Sequence, residues 1–322
     1  MVYLQNFIFP SCETEDEFLH EYYCGARYGN AYHVNDYPFR ILSGIGMFRM
    51  DFEPITILYG GNGSGKSTIV NILSQALQAE RNSPYNSGEH MKEYVNLCSF
   101  ETDMCWSGEM FSDTGIRASK YHISDITHII TSDDIFKSML QERVQREQQI
   151  YKSNLLLEQM GQLRNKEWQS LSFTKRLNLE TGENVSKYKK TLEMRKKSVS
   201  QYLRDNLGQE ERGLSNGENS YVYMAKIMEK EGLYILDEPE NSLSPEMQLK
   251  LSDLLLFMAS RNNSQIIVAT HSPFLLSIPG AKIYNLDGDP ACVSKYYELP
   301  TMQLYYDFFS SMSDVFEKRK HR

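Results

Sequence analysis

The sequence predicts an α/β fold built on a mainly parallel β-sheet, with an antiparallel part near the N-terminus and a helical insertion. Three short apolar segments rich in β-branched residues, at 55–59, 233–236 and 265–269, have the composition of strands covered on both faces. Helical patterns follow the first two, and the second of these begins where Ser244 and Pro245 supply a helix cap and a first-turn proline. Strands that alternate with helices in this way are typical of parallel sheets.

The first strand leads into a glycine-rich loop and then into an amphipathic helical pattern at residues 66–77. The loop fits the pattern G-x-x-x-x-G-K-[ST] in the strand, loop and helix context that this motif requires. Its glycines let backbone N–H groups and the helix N-terminus face a triphosphate, while Lys66 reaches the β and γ phosphates and the Ser67 hydroxyl ligates Mg²⁺. The residues expected to bind the nucleotide are Gly60, Gly61, Asn62, Gly63, Ser64, Gly65, Lys66, Ser67 and Thr68.

The other two strands end in residues suited to the chemistry of a triphosphate. The 233–236 strand delivers Asp237 to the metal shell, with Glu238 one residue further and placed to polarise a water molecule. The 265–269 strand leads into His271, whose imidazole can meet the γ-phosphate or the attacking water. Asp237 and Ser67 are therefore the predicted metal ligands, and Glu238 and His271 the predicted catalytic residues.

The segment between these motifs differs in charge and in periodicity. Residues 137–204 contain 15 Lys and Arg against 7 Asp and Glu, a net charge of +8, whereas the rest of the chain, with 19 against 35, carries −16. Apolar residues keep one helical face in its first and last parts, and an alternating stretch around Gly182 suggests a hairpin. We expect residues 137–207 to form a basic helical insertion between residues 1–136 and 208–322, the two parts of one nucleotide-binding domain.

Two interpretations of the basic charges stay open. They could contact the phosphates of DNA, with Tyr151, Trp168 and Tyr188 available for stacking on bases, or they could form a solvated helix face. Two helices of about 25 residues, at about 1.5 Å per residue, reach only about 37 Å. We therefore expect a lid or a docking platform rather than a long coiled-coil arm.

Composition excludes several classes of protein. With 41% apolar and 24% charged residues, the chain is neither disordered nor fibrous, and its five cysteines form no C-x-x-C pair that would favour a zinc site. The longest apolar runs are far shorter than the roughly 20 residues that cross a bilayer, and the N-terminus lacks the basic region of a secretory signal. These features predict a cytoplasmic protein with reduced thiols and no membrane partner.

The stretch LSNGE at residues 214–218 resembles the LSGGQ signature of ABC-type ATPases, and it lies just upstream of Asp237 and Glu238 as in that family. The block that follows, DEPENSLSP, is similar to the DEPE-x-x-L-x-P stretch of the soluble SMC, RecF and OLD-type group, which includes small stand-alone bacterial ATP-binding proteins of the AAA family. Asn216 stands where a glycine is usual, and Ser244 where Asp or His is commoner. No glutamine follows the strand at 126–130, where the family has its Q-loop. Either Ser132 or Asp133 could take the coupling role of that glutamine, or the segment could be an exposed helix cap.

The resemblance implies an ATPase that uses ATP and Mg²⁺ and forms a head-to-tail homodimer around two ATP molecules. Each site would combine the phosphate loop, Asp237, Glu238 and His271 of one chain with the signature of the other. It also implies a switch that regulates a protein effector or a DNA transaction, in genome maintenance or antiviral (phage) defence. A DNA-binding clamp with slow turnover is the alternative. A third interpretation is the ATPase subunit of a transporter, which is disfavoured because the glutamines of the Q-loop and of the signature are both missing. The signature residues expected to bind the partner's nucleotide are Ser215, Asn216, Gly217 and Glu218.

Overall fold

The chain divides into two compact units. One unit comprises residues 1–136 and 216–322 and holds both sheets described below; the other comprises residues 137–215. The computed structural model describes residues 2–25, 36–82, 88–102, 110–111, 117–118, 123–164, 215–313 and 315–316.

Strands and helices alternate along the first part of the chain, with short strands before and after the glycine-rich loop. In order they are β1 (Leu4–Ile8), α1 (Cys12–Gly25), β2 (Arg49–Asp51), β3 (Ile55–Tyr59), α2 (Lys66–Ala76), α3 (Met91–Leu97), β4 (Ser99–Thr102), β5 (Met110–Phe111), β6 (Arg117–Ala118), β7 (Thr127–Thr131) and α4 (Ser132–Arg164).

The second part of the chain begins at the signature and continues the alternation. Its elements are α5 (Asn216–Ile227), β8 (Leu233–Asp237), a one-turn 3-10 helix (Pro239–Ser242), α6 (Pro245–Arg261), β9 (Gln265–Ala269), the short α7 (Pro273–Leu276), β10 (Lys282–Asn285), β11 (Cys292–Ser294) and α8 (Pro300–Ser311).

The main sheet has six strands in the order β11, β10, β3, β9, β8, β7. All neighbouring pairs are parallel except β10 with β11. Every residue of β3 and β9 is buried, which explains why these strands lack polar alternation in the sequence. Because the strands are parallel, the carboxyl ends of β3, β9, β8 and β7 meet at one edge, where ligands bind in open α/β sheets.

A smaller antiparallel sheet, in the order β2, β1, β4, lies against the same core. The predicted fold, a mainly parallel sheet with an antiparallel N-terminal part, is thus confirmed. Apolar side chains of both sheets and of α2 pack in one buried cluster, which includes Phe7, Met50, Leu58, Ile72 and Ile235.

Gln265, at the start of β9, ties the N-terminal strand to the main sheet. Its side chain is completely buried, and Oε1 accepts hydrogen bonds from the backbone N–H groups of Tyr3 and Leu4, both at 2.8 Å. Its Nε2 donates to the carbonyl of Leu4 at 2.9 Å. One side-chain amide therefore satisfies three backbone groups of a strand more than 260 residues away in sequence.

The helix that leads into the predicted insertion begins before it. Helix α4 begins at Ser132, five residues before the predicted start of the insertion, and its residues from Lys137 onward belong to the second unit. Helix α6 begins as predicted, with the Ser244 hydroxyl accepting a hydrogen bond from the backbone N–H of Met247. The proposed hairpin around Gly182, the second helical face, Trp168, Tyr188 and most of the basic clusters lie outside the described residues.

Two expectations about membranes and cysteines can be compared with the structure. In the described part of the chain, no helix combines the length and apolar composition needed to cross a membrane. Cys12, Cys98 and Cys292 are free thiols, and burial raises the pKa of Cys98 to about 12. Cys98 is therefore held as a neutral thiol at physiological pH.

We expect Gln265→Ala to lower the free energy of unfolding by about 3 kcal/mol, because it leaves three buried backbone groups of β1 without their partner. Urea denaturation of the variant beside the parent protein measures this loss. The matched control is Gln303→Ala, which truncates an exposed glutamine on α8 and should change stability by less than about 0.5 kcal/mol. A loss for Gln265→Ala no larger than that of the control would contradict this role.

Candidate nucleotide-binding site

The glycine-rich loop joins β3 to α2 in a conformation that leaves the start of the helix open. Gly63 and Gly65 have φ values of +84° and +93°, in the left-handed region that favours glycine. A Cβ on Gly60 would lie 2.3 Å from the Ser64 hydroxyl, so only glycine fits at this turn. Gly65 is the N-cap of α2 and makes no side-chain capping bond. The N–H groups of the first helical turn therefore lack the usual side-chain acceptor and can bind an anion.

Lys66 is buried at the base of this loop, with only 4% of its side chain exposed. Its ammonium donates to the carbonyls of Gly60 and Gly61, both at 2.8 Å, and lies 3.9 Å from Oε1 of Glu238. An ammonium has three N–H donors, and two of them are used to fold the loop around it. The third is available for a phosphate oxygen.

Asp287 and Leu42 lie next to the loop, although no sequence motif indicates them. Both carboxylate oxygens of Asp287, just beyond β10, accept from the N–H of Gly61 at 2.9 Å and so hold the loop. The side chains of Ile41 and Leu42 lie 3.5 Å from the position that a Cβ on Gly65 would take. The buried Glu15 of α1 supports the turn that carries Leu42, because its Oε2 accepts from the Ser43 hydroxyl at 2.7 Å. No local sequence motif connects these residues to the loop.

Ser67 and Asp237 meet where α2 faces the end of β8. The Ser67 hydroxyl donates to Oδ1 of Asp237 at 3.3 Å. The pKa of Asp237 is raised to about 6, chiefly because the carboxylate is withdrawn from water; the neighbouring carboxylates of Glu238 and Glu240 also raise it, while the hydrogen bond from Ser67 and the charge of Lys66 lower it. A partly buried carboxylate next to a hydroxyl supplies oxygen donors of the kind that a divalent cation prefers.

Glu238 follows β8 with a left-handed backbone, at φ of 49°. Its N–H donates to the carbonyl of Ala269 at 2.9 Å, which anchors it to the end of β9. Its Oε2 accepts from the side-chain amide of Asn241 at 3.0 Å, while Oε1 faces Lys66. The strained backbone and these two contacts direct the carboxylate towards the phosphate loop.

His271 lies at the end of β9 with 53% of its side chain exposed. Its nearest acid is Glu240, which lies in the 3-10 helix and is 4% exposed. Oε1 of Glu240 accepts from the Thr270 hydroxyl at 2.5 Å and from the backbone N–H of His271 at 3.0 Å. In the sequence Glu240 is recognisable only as part of the DEPE stretch. Its position three residues after the end of β8 could nevertheless have indicated a second acid at this edge of the sheet.

The signature residues lie at the start of α5. Ser215 is exposed and directly precedes the helix, whose first residues are Asn216, Gly217 and Glu218. A Cβ on Gly217 would lie 3.2 Å from the carbonyl of Ser242, and the Ser242 hydroxyl donates to that of Ser220 at 2.8 Å. The helix that follows the signature thus packs on the same 3-10 helix that carries Glu240. Leu214 lies outside the described residues.

The segment expected at the Q-loop position is a reciprocal helix cap. The Thr131 hydroxyl accepts from the N–H of Asp134 at 3.3 Å, and Oδ2 of the buried Asp134 accepts from the N–H of Thr131 at 3.0 Å. Ser132 and Asp133 are the first residues of α4. Of the two alternatives for this segment, the structure favours the cap, although both residues that form it, Thr131 and Asp134, are buried rather than exposed.

The register of the sheet explains which predicted residues come together. Thr131, Asp237 and Ala269 lie side by side at the carboxyl edge, and Ala269 pairs with Leu58 of β3. Lys66, Ser67, Asp237 and Glu238 are joined by direct contacts, and His271 is linked to them through the 3-10 helix. The donors in this group fit a magnesium nucleotide, since the open helix start and Lys66 suit phosphate, and Ser67 with Asp237 suits the metal.

Comparison with known proteins gives two sequence matches. Residues 139–277 match the family described as "AAA domain, putative AbiEii toxin, Type IV TA system". A stretch of 64 residues, 20% of this chain, is 38% identical to a protein of Mesomycoplasma hyorhinis described as "Probable ABC transporter ATP-binding protein p29", of which it spans only 25%. These matches confirm the resemblance to ABC-type ATPases of the AAA group.

Two solved structures are also similar to this chain. The Smc head domain from Pyrococcus furiosus, with an extended coiled coil and bound to the C-terminal domain of ScpA, is 14% identical; the alignment covers 81% of this chain and 94% of that one, with a TM-score of 0.36. A dimeric ATP-binding cassette in a post-hydrolysis state, bound to ADP and phosphate, is 16% identical, with coverage of 78% and 90% and a TM-score of 0.32.

The raised pKa of Asp237 predicts a stability that depends on pH in the absence of metal and nucleotide. The ordinary pKa is 3.8 and the folded value is about 6, so the folded protein binds a proton that the unfolded chain has lost. This group therefore lowers the free energy of unfolding as pH rises from about 4 to about 6, and the cost persists above that range. Asp237→Asn should exceed the parent in stability by about 3 kcal/mol at pH 7.5.

Urea denaturation at several pH values checks this expectation, with Asp253→Asn on the exposed face of α6 as the matched control. The advantage of Asp237→Asn should fall as the pH is lowered from about 6 to about 4 and vanish below about pH 3, where Asp237 is protonated in both the folded and the unfolded parent. An advantage that does not change with pH, or that the control shares, would contradict the raised pKa.

Proposed function

We propose that this chain is an ABC-type ATPase that binds ATP and Mg²⁺, dimerises head-to-tail around two ATP molecules, and uses hydrolysis as a switch. The observation that carries the proposal is the convergence of Lys66, Ser67, Asp237 and Glu238 at one edge of the sheet. In this proposal residues 1–136 and 208–322 form the ATP-binding domain, and residues 137–207 form the basic insertion.

The residues of the loop would bind the phosphates before any chemistry begins. The open N–H groups at the start of α2 and the third N–H of Lys66 would satisfy the β and γ oxygens. A bound Mg²⁺, held by the Ser67 hydroxyl and Asp237, would supply positive charge to the phosphate oxygens and keep Asp237 ionised. The burial that raises the pKa of Asp237 therefore strengthens its attraction for the metal.

Glu238 would act as the general base for the attacking water. Asn241 holds one oxygen of its carboxylate, and the other oxygen is available to accept a proton from water at the γ-phosphate. The contact of 3.9 Å with Lys66 brings the base within reach of the phosphate that Lys66 binds. His271 would contact the γ-phosphate or the same water.

Dimerisation is proposed because the signature residues stand at the start of α5, where they could face the nucleotide of a second chain. Ser215 is exposed at the N-terminus of α5, where helix N–H groups favour a negatively charged oxygen. A two-fold arrangement would bring residues 215–218 of each chain to the γ-phosphate bound by the other. ATP would then join the two chains, and hydrolysis would release them.

The output of the switch is proposed to be regulation of a protein effector in genome maintenance or phage defence. In the described residues no group of three or more His, Cys, Asp or Glu side chains is arranged to hold a further metal. The match at residues 139–277 to a family described with a toxin and a Type IV toxin–antitoxin system supports a role beside an effector. We place the protein in the cytoplasm on the strength of its sequence.

The roles of Lys66 and Glu238 predict different defects. Lys66→Ala should lose ATP binding, because no other group in the loop replaces its charge on the phosphates. Glu238→Gln should keep ATP binding and lose turnover by about 10²–10⁴-fold, the contribution of a general base. Nucleotide affinity by calorimetry and phosphate release measured on the same preparations separate the two effects.

Two exposed residues of α6 provide matched controls, Lys250→Ala and Glu246→Gln, which should bind and hydrolyse ATP at the parental level. If Glu238→Gln hydrolyses ATP at the parental rate, Glu238 is not the base.

A mixing experiment tests the shared site. Ser215→Arg should leave ATP binding intact but block dimerisation and turnover, because a bulky cation enters the place of the partner's γ-phosphate. Mixed with Lys66→Ala, it forms heterodimers in which one site combines an undamaged loop with an undamaged signature. With random pairing, turnover should recover to about a quarter of the parental rate. Ser260→Arg, on the exposed surface of α6, is the matched control. Turnover that depends neither on protein concentration nor on mixing would exclude the head-to-tail dimer.

A DNA-binding clamp with slow turnover is the second candidate, and the contrast of +8 against −16 in charge favours it. Changing Lys189, Lys190, Lys196 and Lys197 to Glu should then flatten the slope of log affinity for DNA against log salt by roughly 3 to 4, while basal ATPase activity survives. A protein effector that docks on the insertion would give a shallower dependence on salt. DNA binding that is unchanged in this variant would remove the insertion from the DNA contact.

A further inference from the structure

We propose that Glu240 is the positioning residue of His271: it holds the imidazole with its proton on Nδ1 and leaves Nε2 for the nucleotide. The proposal deepens the proposed ATPase function and rests on it for the role of His271. The position of the proton on the ring does not depend on the proposed function, and it can be measured without nucleotide.

One oxygen of Glu240 makes three contacts with the turn that carries His271. Oε1 accepts from the Thr270 hydroxyl and from the backbone N–H of His271, and it lies 3.5 Å from Nδ1 of the imidazole. The first two contacts hold the Thr270 side chain and the backbone of the turn after β9, and the third places the carboxylate next to Nδ1 of the ring. Such contacts are often long before the substrate is bound and tighten in its complex.

The burial of Glu240 requires an explanation. Its side chain is 4% exposed, and its second oxygen, Oε2, is buried without a hydrogen-bond partner. A buried carboxylate is costly unless a positive charge compensates it. Among the described residues, the ion-pair contact of Glu240 is with His271. The acid is therefore retained beside an imidazole, whose N–H at Nδ1 can donate to it.

The chemistry of the ring follows from this contact. A neutral imidazole carries one proton, and with that proton on Nδ1 the hydrogen bond to Glu240 can form. Nε2 is then free to accept a proton from water or, once protonated, to donate to an anionic oxygen. The negative charge of Glu240 stabilises the imidazolium in the second case. Because 53% of His271 is exposed, the ring remains accessible to a triphosphate.

The position of Glu240 in the chain couples His271 to the general base. The one-turn helix Pro239–Ser242 follows Glu238 directly and contains both Glu240 and Asn241. Asn241 holds the carboxylate of Glu238, and Glu240 holds His271, so one rigid turn orients the base and the histidine together.

The tautomer of His271 tests the proposal on the full chain without nucleotide. Nitrogen-15 NMR at pH 8 identifies which ring nitrogen carries the proton, and the His271→Ala spectrum assigns the signal among the seven histidines. We expect the proton on Nδ1 in the parent protein and a mixture of tautomers in Glu240→Gln. A parent ring with its proton on Nε2 would overturn the proposal, whether or not the variant folds.

Turnover provides the second test. Glu240→Gln keeps the size of the side chain and an acceptor for Thr270, so we expect it to lower kcat about tenfold, less than loss of a general base, with KM for ATP unchanged. The double variant Glu240→Gln with His271→Ala should be no slower than His271→Ala alone, because Glu240 acts through the ring. A further drop of the same factor in the double variant would show a merely structural role and overturn the proposal.

The matched control is Glu229→Gln, an exposed glutamate just after α5, which should change neither the tautomer nor kcat. If the parent protein does not hydrolyse ATP, the proposed function fails while the tautomer still decides the role of Glu240. If the parent hydrolyses ATP and the ring carries its proton on Nε2, the proposed function stands and this inference fails.

Discussion

The buried ammonium of Lys66 is the interaction on which the rest of the site depends. A charge with 4% exposure is stable only if its donors are satisfied, and the carbonyls of Gly60 and Gly61 satisfy two of them. This requirement gives the loop its curvature and keeps the first turn of α2 open. It also requires β8 to end nearby, because Glu238 supplies the nearest negative charge. The position of β9 between β3 and β8 sets the distance between the phosphate loop, which follows β3, and Glu238, which follows β8.

The same edge of the sheet concentrates acids at a cost in stability. Asp237, Glu238 and Glu240 lie within four residues, and each of the latter two raises the pKa of Asp237. Among the described residues, Lys66 faces Glu238 and His271 faces Glu240, so three carboxylates share two basic partners. A bound cation would offset the repulsion that remains between them. Such a trade of stability for reactivity is typical of functional sites.

The sequence was sufficient to predict the three buried strands, the phosphate loop and the start of α6, because each of these has a local signal. It placed Ser67, Asp237 and Glu238 at strand or helix ends, where parallel register brings them together. It missed the roles of Glu15, Glu240 and Asp287, because these acids act on backbone groups distant in sequence or across a turn. It offered a helix cap as one of two alternatives for the segment at Ser132 and Asp133, but periodicity did not reveal that Thr131 and Asp134 form it.

The contact of Gln265 with the first residues of β1 has a consequence for synthesis on the ribosome. The partner of Tyr3 and Leu4 is translated more than 260 residues after them, and β3 likewise gains its neighbours β9 and β10 only near the end of the chain. The central strand, apolar at nearly every position, must therefore wait unpaired while the intervening residues emerge. A nascent chain with such non-local pairing folds late and exposes aggregation-prone edges in the meantime. The interval before β3 is paired, rather than the finished sheet, is then the stage at which the chain is most exposed to aggregation.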